Sequence, residues 1–269
     1  MALSRPHQLR SKQIAETLRY FDKYDYPLTW DEIKFWSPIP LPRSPSPNLG
    51  EGGGEVQKES NFYFLSGRSK IIKMRQQRAK FSQAKWQIAN QVGERLKKFP
   101  TIAAIFVTGA LAMNNCPADD DIDLMIVTYP NTLWITRFFL NLYLDLNSLR
   151  RHPRQAQAPN KICPNLWLDL DHLLIPNHNL YTAHEILQAR VLWDRAGVHQ
   201  QFLKQNNWVK KYLPVAYKSQ KIFNSQFSIL NFIFYPLNSI LFALQYLYMK
   251  PKMTTERVGL GYAFFHPRG

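Results

Sequence analysis

The chain is expected to fold as an α/β (α+β) protein, a mixed sheet flanked by helices. Three observations predict it. IAAIFVTG (residues 102–109) and IDLMIVT (residues 122–128) are apolar strands with a short helix between them, starting after Gly109. NLWLDLDHLLI (residues 165–175) alternates, with Trp167, Asp169 and Asp171 on one side and Leu166, Leu168 and Leu170 on the other. Around these strands apolar residues recur at three- and four-residue steps, the mark of amphipathic helices.

The elements follow in order. Residues 12–37 read as two short helices, the first with Ile14, Leu18 and Phe21 on one face. The second opens on Thr29 and Glu32, a capping-box pair. Residues 38–60 are dense in Pro, Ser and Gly and predict a disordered insert. NFYFLSGR (residues 61–68) alternates and ends in a turn, as a hairpin arm does. Residues 69–98 predict a long basic helix with Phe81, Ala84, Ile88, Val92 and Leu96 on its buried stripe, stopped by Pro100. Another helix is expected over about 132–149, and the chain beyond Leu180 reads as helical. The divisions that follow are 1–68, 69–180 and 181–269. Residues 227–248 are the most hydrophobic part, but Asn231, Pro236, Asn238, Ser239 and Gln245 interrupt them. A membrane span needs about 20 mostly apolar residues. No transmembrane span is expected; packed helices are, with peripheral membrane contact as the alternative.

Composition narrows the class. With 269 residues, 45% of them hydrophobic and 14% aromatic, the chain can bury a core and is not a disordered protein. Cys116 and Cys163 are too few for a disulfide framework and lack a Cys–His spacing for zinc. A reducing, cytoplasmic setting is expected, and the first residues show no secretory h-region. The formal charge is +15. Between Ser66 and Lys98 there are ten basic residues and one acid, and from Gln201 onward nine and one. Residues 101–200 hold nine acids against seven bases. A basic protein with an acidic centre suits an anionic partner such as nucleic acid, a nucleotide or an anionic membrane face.

The acidic centre is TGALAMNNCPADDDIDLMIV, residues 108–127. Asp121 and Asp123 are two apart at a strand edge, so their carboxylates share a face and repel unless a cation lies between them. Mg²⁺ suits such a pair, leaving positions for water and phosphate. A third carboxylate from a neighbouring strand, Asp169 or Asp171, would complete a two-metal site. No basic residue occurs from Asn114 to Thr136, which argues against simple ion pairing, and the spacing lacks the glycine of an EF-hand loop.

Gly109-Ala110, a helix, and then Asp121-Ile122-Asp123 between two apolar strands resemble the signature of the DNA polymerase beta-like nucleotidyltransferase superfamily. The motifs cover roughly residues 101–175. The resemblance implies that Asp121, Asp123 and Asp169 are catalytic and bind two Mg²⁺ or Mn²⁺ ions. It implies that Gly109 and Ala110 cradle the phosphates of an NTP such as ATP, with Asp120 in the nucleotide-binding set. Ala110 replaces the family's serine, a lost hydrogen bond worth about 1.5–3 kcal/mol. Asp120 stands where a Ser is usual, and Met113 where many small members carry Arg. The N-terminal segment resembles the opening and wing of a winged-helix domain, with the insert in the recognition helix's place. The implied activity is transfer of a nucleoside monophosphate to an acceptor, with nucleic acid or another anionic acceptor favoured by the charge. The alternative is a catalytically weakened member acting as a nucleic-acid-binding regulator or antitoxin-like partner. His172 and His184 receive no role.

Overall fold

The computed structural model describes residues 5–46, 49–50, 54–152, 155, 157–195, 197–220 and 234–265. Two compact units form, one from residues 1–80 and 208–221, the other from 81–207 and 222–269. These boundaries differ from the three sequential divisions expected, because late segments of the chain return to both units.

In the first unit, α1 (Arg5–Asp22) buries Ile14, Leu18 and Phe21, the face its spacing predicts. The strand β1 (Leu28–Thr29) leads into α2 (Trp30–Trp36), which starts on the expected capping box. The Glu32 N–H donates to Thr29 Oγ1 at 3.3 Å, and the Thr29 N–H donates to Glu32 Oε2 at 2.8 Å. The same carboxylate takes Arg75 at 2.8 Å, and that guanidinium lies 4.1 Å from the Tyr26 ring. β2 (Val56–Glu59) and β3 (Phe62–Leu65) form a hairpin, and the sheet order is β1-β3-β2. The end of the expected insert is therefore a strand, and residues 47–48 and 51–53 lie outside the described residues. A short helix, α8 (Pro214–Ser219), packs against α2.

The helix α3 (Lys70–Leu96) carries the chain from the first unit into the second. The second unit is built on β4 (Ile102–Val107), β5 (Ile122–Thr128), β6 (Ile162–Asp169), β7 (Arg190–Asp194), β8 (Arg257–Gly259) and β9 (Tyr262–Phe264). Their order is β7-β4-β5-β6-β9-β8. Among the described strands only β5 and β6 run parallel. A parallel pair cannot be joined by a hairpin, and α5 (Leu133–Leu146) makes the crossover. β4 is buried at all six positions, which explains its unbroken apolar run. Ala89, Val92 and Leu96 of α3 and Trp134, Leu140 and Leu144 of α5 share one core with Ile105 and Leu124. Phe106 instead meets Phe202 of α7 (Val198–Gln205), with ring centroids 6.0 Å apart.

The region after Leu180 is only partly helical. α6 (Leu180–Gln188) is followed by β7, and the aromatic C-terminal stretch supplies β9 beside β6. Tertiary pairing decides here, since neither five nor three residues carry enough periodicity to declare a strand. Of residues 227–248, those up to 233 lie outside the described residues; the rest begins α9 (Tyr235–Met249). α9 packs beside α5. Thr132 gives α5 no side-chain cap, and buried Asn238 of α9 accepts the Trp134 N–H at 2.8 Å instead. Asn238→Ala leaves that amide unpaired in the interior. It should cost about 1–3 kcal/mol, read as a lower urea midpoint together with faster amide exchange at Trp134; unchanged exchange there would refute the cap.

Candidate functional site

The open end of β5 gathers the site. Gly109, which opens the short helix α4 (Gly109–Ala112), has a left-handed φ of +62°, and a methyl group there would lie 2.5 Å from Asp123 Oδ2. Only glycine allows both the turn and the approach of the carboxylate. The Thr108 N–H donates to the Asp123 carbonyl at 3.0 Å, tying the turn to β5. Ala110, partly buried against the core, presents a methyl group and no hydroxyl at this turn.

The aspartates have separate fates. Asp119 is exposed. Asp120 serves the turn itself: its Oδ1 accepts the Asp121 N–H at 3.1 Å, and the Cys116 thiol lies 3.8 Å from its Oδ2. Asp121 is buried. Its Oδ2 has no hydrogen-bond partner, although the Arg151 guanidinium stands 3.0 Å away in an ion contact. Asp123 accepts a 2.7 Å hydrogen bond from Asn165 Nδ2 on Oδ1. Ligand atoms of Asp121, Asp123 and Cys163 all lie within 4.8 Å of one another.

The parallel register explains the thiol. Asp123 lies opposite Cys163, and the pairing slips between Leu124 and Met125, so that Asn165 has no partner of its own. Such a bulge re-aims a side chain, and Asn165 is turned to Asp123. Pro164, which lacks an N–H, sits at the slip.

The same register separates the third expected ligand from the pair. Asp169 lies opposite Thr128, five positions along β5 from Asp123, or roughly 16 Å at the usual rise. It is buried at the other end of the sheet with His172 Nδ1 2.7 Å from its Oδ1. Asp171 follows in the turn there, its N–H donating to Asp169 Oδ1 at 3.1 Å. The expectation of Asp169 or Asp171 as third carboxylate is corrected: alternation showed which side of the strand they share, but not which end of β6 meets Asp123. His184 is buried, and burial pushes it down to about 3, so it stays neutral.

Sequence reasoning missed four contributors. Lys85 of α3, fully buried, donates to the carbonyls of Ala118 and Asp120 at 3.2 and 2.6 Å and to Asn160 Oδ1 at 3.1 Å. Arg151, Cys163 and Asn165 come from the loop and strand start that the register brings alongside. ICPN before the alternating run was the available signal, but β6 was expected to begin at Asn165 and in fact begins at Ile162.

The electrostatics are those of a site short of positive charge. Lost solvation, then the charges of Asp121, Asp120 and Glu185, push the Asp123 carboxyl up to about 8 against the opposing pull of Arg151. Burial, then Asp121, also raises Asp120. Burial first, and then Asp123 and Asp121, raise the Cys163 thiol. Two carboxylates, one of them with a buried oxygen that accepts no hydrogen bond, and a thiol sulfur fit a divalent cation. Compared with protein-family models, with curated proteins and with solved structures, the chain matches none of them.

Three outcomes follow. A carboxyl raised on folding binds its proton more tightly in the native state, so the cation-free protein should lose stability as pH rises from about 4 to about 8. Urea unfolding across that window should show the decline, and Asp123→Asn should make it shallower; an unchanged slope in the variant would place the proton elsewhere. Mn²⁺ affinity should rise over the same window as the cation displaces the proton. Gly109→Ala should displace Asp123 and weaken Mn²⁺ binding about tenfold or more, measured by calorimetry; unaltered affinity would remove the turn from the site.

Proposed function

We propose that the protein is a nucleotidyltransferase-type enzyme that moves a nucleoside monophosphate from an NTP to an acceptor hydroxyl or phosphate. The acceptor oxygen bonds to the α-phosphorus, the α–β bridging bond breaks, and pyrophosphate leaves. The observation that supports it most is the left-handed Gly109 turn held directly against the Asp123 carboxylate. Backbone N–H groups at the start of α4 beside a cation-seeking pair would supply what a polyphosphate requires.

Asp121 and Asp123 would hold the cation, with Cys163 at the edge of the set. When bound, Mg²⁺ or Mn²⁺ neutralises phosphate charge and polarises the phosphoryl group. Asn165 fixes the rotamer of Asp123 through its 2.7 Å bond. Arg151, already 3.0 Å from Asp121, supplies a guanidinium to a phosphate oxygen. With Asp169 distant, Glu185 of α6, a carboxylate whose charge acts on Asp123, would be the group to receive the acceptor's proton. Positioning and charge neutralisation account for the rate.

Incubation with each α-labelled NTP, Mg²⁺ or Mn²⁺ and candidate acceptors should release pyrophosphate. Asp121→Asn with Asp123→Asn should abolish it, Glu185→Gln should slow it about 10²-fold or more, and Ala110→Ser should raise nucleotide affinity. A second reading has its own support. Asn165, not a carboxylate, is the β6 side chain bonded to Asp123, as in a protein that binds nucleotide without turning it over and acts as a nucleic-acid-binding regulator or antitoxin-like partner. Nucleotide binding without pyrophosphate release, together with retardation of duplex DNA, would decide for that reading and against the enzyme.

A further inference from the structure

α9 is fifteen residues long and carries no charged side chain. One face is used internally. Asn238 and Met249 are buried, Phe242 lies 5.0 Å from the Trp134 ring, and Gln245 joins the Trp134 carbonyl to the Arg137 guanidinium. The opposite face is a stripe of Leu237, Ile240, Leu244 and Leu247, exposed by 48, 58, 59 and 65%. Their spacing of three, four and three residues keeps them in one line along the helix. The adjoining α5 adds Leu142 and Leu146, exposed by 45 and 77%. Single exposed leucines are ordinary; a line of four along one helix, with two more on the helix packed beside it, marks a surface that something covers.

The charges around the stripe indicate what covers it. From Phe234 to Lys252 there is no acid, and the only charges are Lys250 and Lys252 at the C-terminal tip. Beside them Tyr248 is 71% exposed, with the Lys252 ammonium 3.6 Å from its ring. A protein partner is met by an apolar centre with a polar rim of mixed character. An uncharged apolar face ending in tyrosine and lysine suits the boundary of an anionic bilayer, with leucines among the acyl chains and ammonium groups at the phosphates. At 1.5 Å per residue the helix is about 22 Å long, too short to cross, and no helix of the described residues is long and apolar enough to span a membrane.

We propose that the exposed face of α9, with the adjoining leucines of α5, docks the protein in the plane of an anionic phospholipid surface. The docking is independent of the aspartate site and of any reaction there. Flotation of the full chain with vesicles of phosphatidylcholine containing about 30% phosphatidylserine tests it, with pure phosphatidylcholine as control. The protein should float with the anionic vesicles and at least about tenfold less with the neutral ones. Leu244→Glu with Leu247→Glu should abolish flotation. Both positions are exposed, so the far-ultraviolet spectrum should be unchanged. Lys250→Gln with Lys252→Gln should reduce binding about tenfold or more and remove most of its salt dependence; this pair tests the surface without altering the apolar stripe. Failure of the wild type to float on anionic vesicles overturns the proposal. So does flotation of both double variants at the wild-type level. A wild-type dimer that the glutamate pair splits into monomers, with no vesicle binding, would assign the stripe to self-association instead.

Discussion

The fully buried ammonium of Lys85 holds together the two loops on which the acidic site depends. On one side it binds the carbonyls of Ala118 and Asp120, in the turn that delivers Asp121 and Asp123. On the other it binds the side chain of Asn160, two residues before β6. A charge buried this deeply is tolerated only when its hydrogens are satisfied. Three oxygen acceptors do that, and in doing so they fix the distance between the loops. Cys163, Asn165 and Arg151 stand beside the carboxylate pair because of that spacing. The clamp also shows why the aspartates do not simply swing into solvent to escape one another. Their backbone is held from beneath by a residue that bonds none of their carboxylates.

Much of this was legible in the sequence. The strands at 102–107 and 122–128 lie where their apolar runs begin and end. The Thr29–Glu32 capping box is present, and the Asp121–Asp123 pair shares one face at the end of β5. These features depend on neighbours within a few residues, where period and cap chemistry decide. Asp169 depended on something else. Alternation fixes which side of a strand a residue faces, but sliding β6 by six positions along β5 changes no local pattern. What sets the slide is Lys85, the bulge at Asn165 and the length of the crossover, none of which is written near Asp169. β7 and β9 were missed for a related reason, since their identity comes from the partners they join.

The site that results differs from a three-carboxylate arrangement in a definite chemical sense. An amide that donates to Asp123 replaces a negative charge that would repel it, and Arg151 adds a positive one beside Asp121. Both changes reduce the demand for a second cation. One divalent ion is what two carboxylates, one of them held by an amide, call for electrostatically. In the proposed reaction phosphate charge would then fall to the guanidinium and to backbone N–H groups at the Gly109 turn. For the proposed enzyme, that reduced acidity favours nucleotide binding over fast turnover, and the proposed role of Glu185 in taking the acceptor's proton becomes the critical question.

α9 connects this chemistry to the outer surface of the second unit. α5 is the crossover that sets β6 parallel to β5, and its first turn is capped by Asn238 while Gln245 holds Arg137 and the Trp134 carbonyl. The helix that carries the exposed leucine stripe is therefore the helix that braces the crossover. Its inner polar groups, Asn238 and Gln245, fix its rotation about its own axis, since each must meet a particular atom of α5. Once that rotation is fixed, Leu237, Ile240, Leu244 and Leu247 have no choice but to face outward. An apolar stripe in that position cannot be relieved by a small rotation of the helix without breaking the buried hydrogen bonds that stabilise the sheet connection.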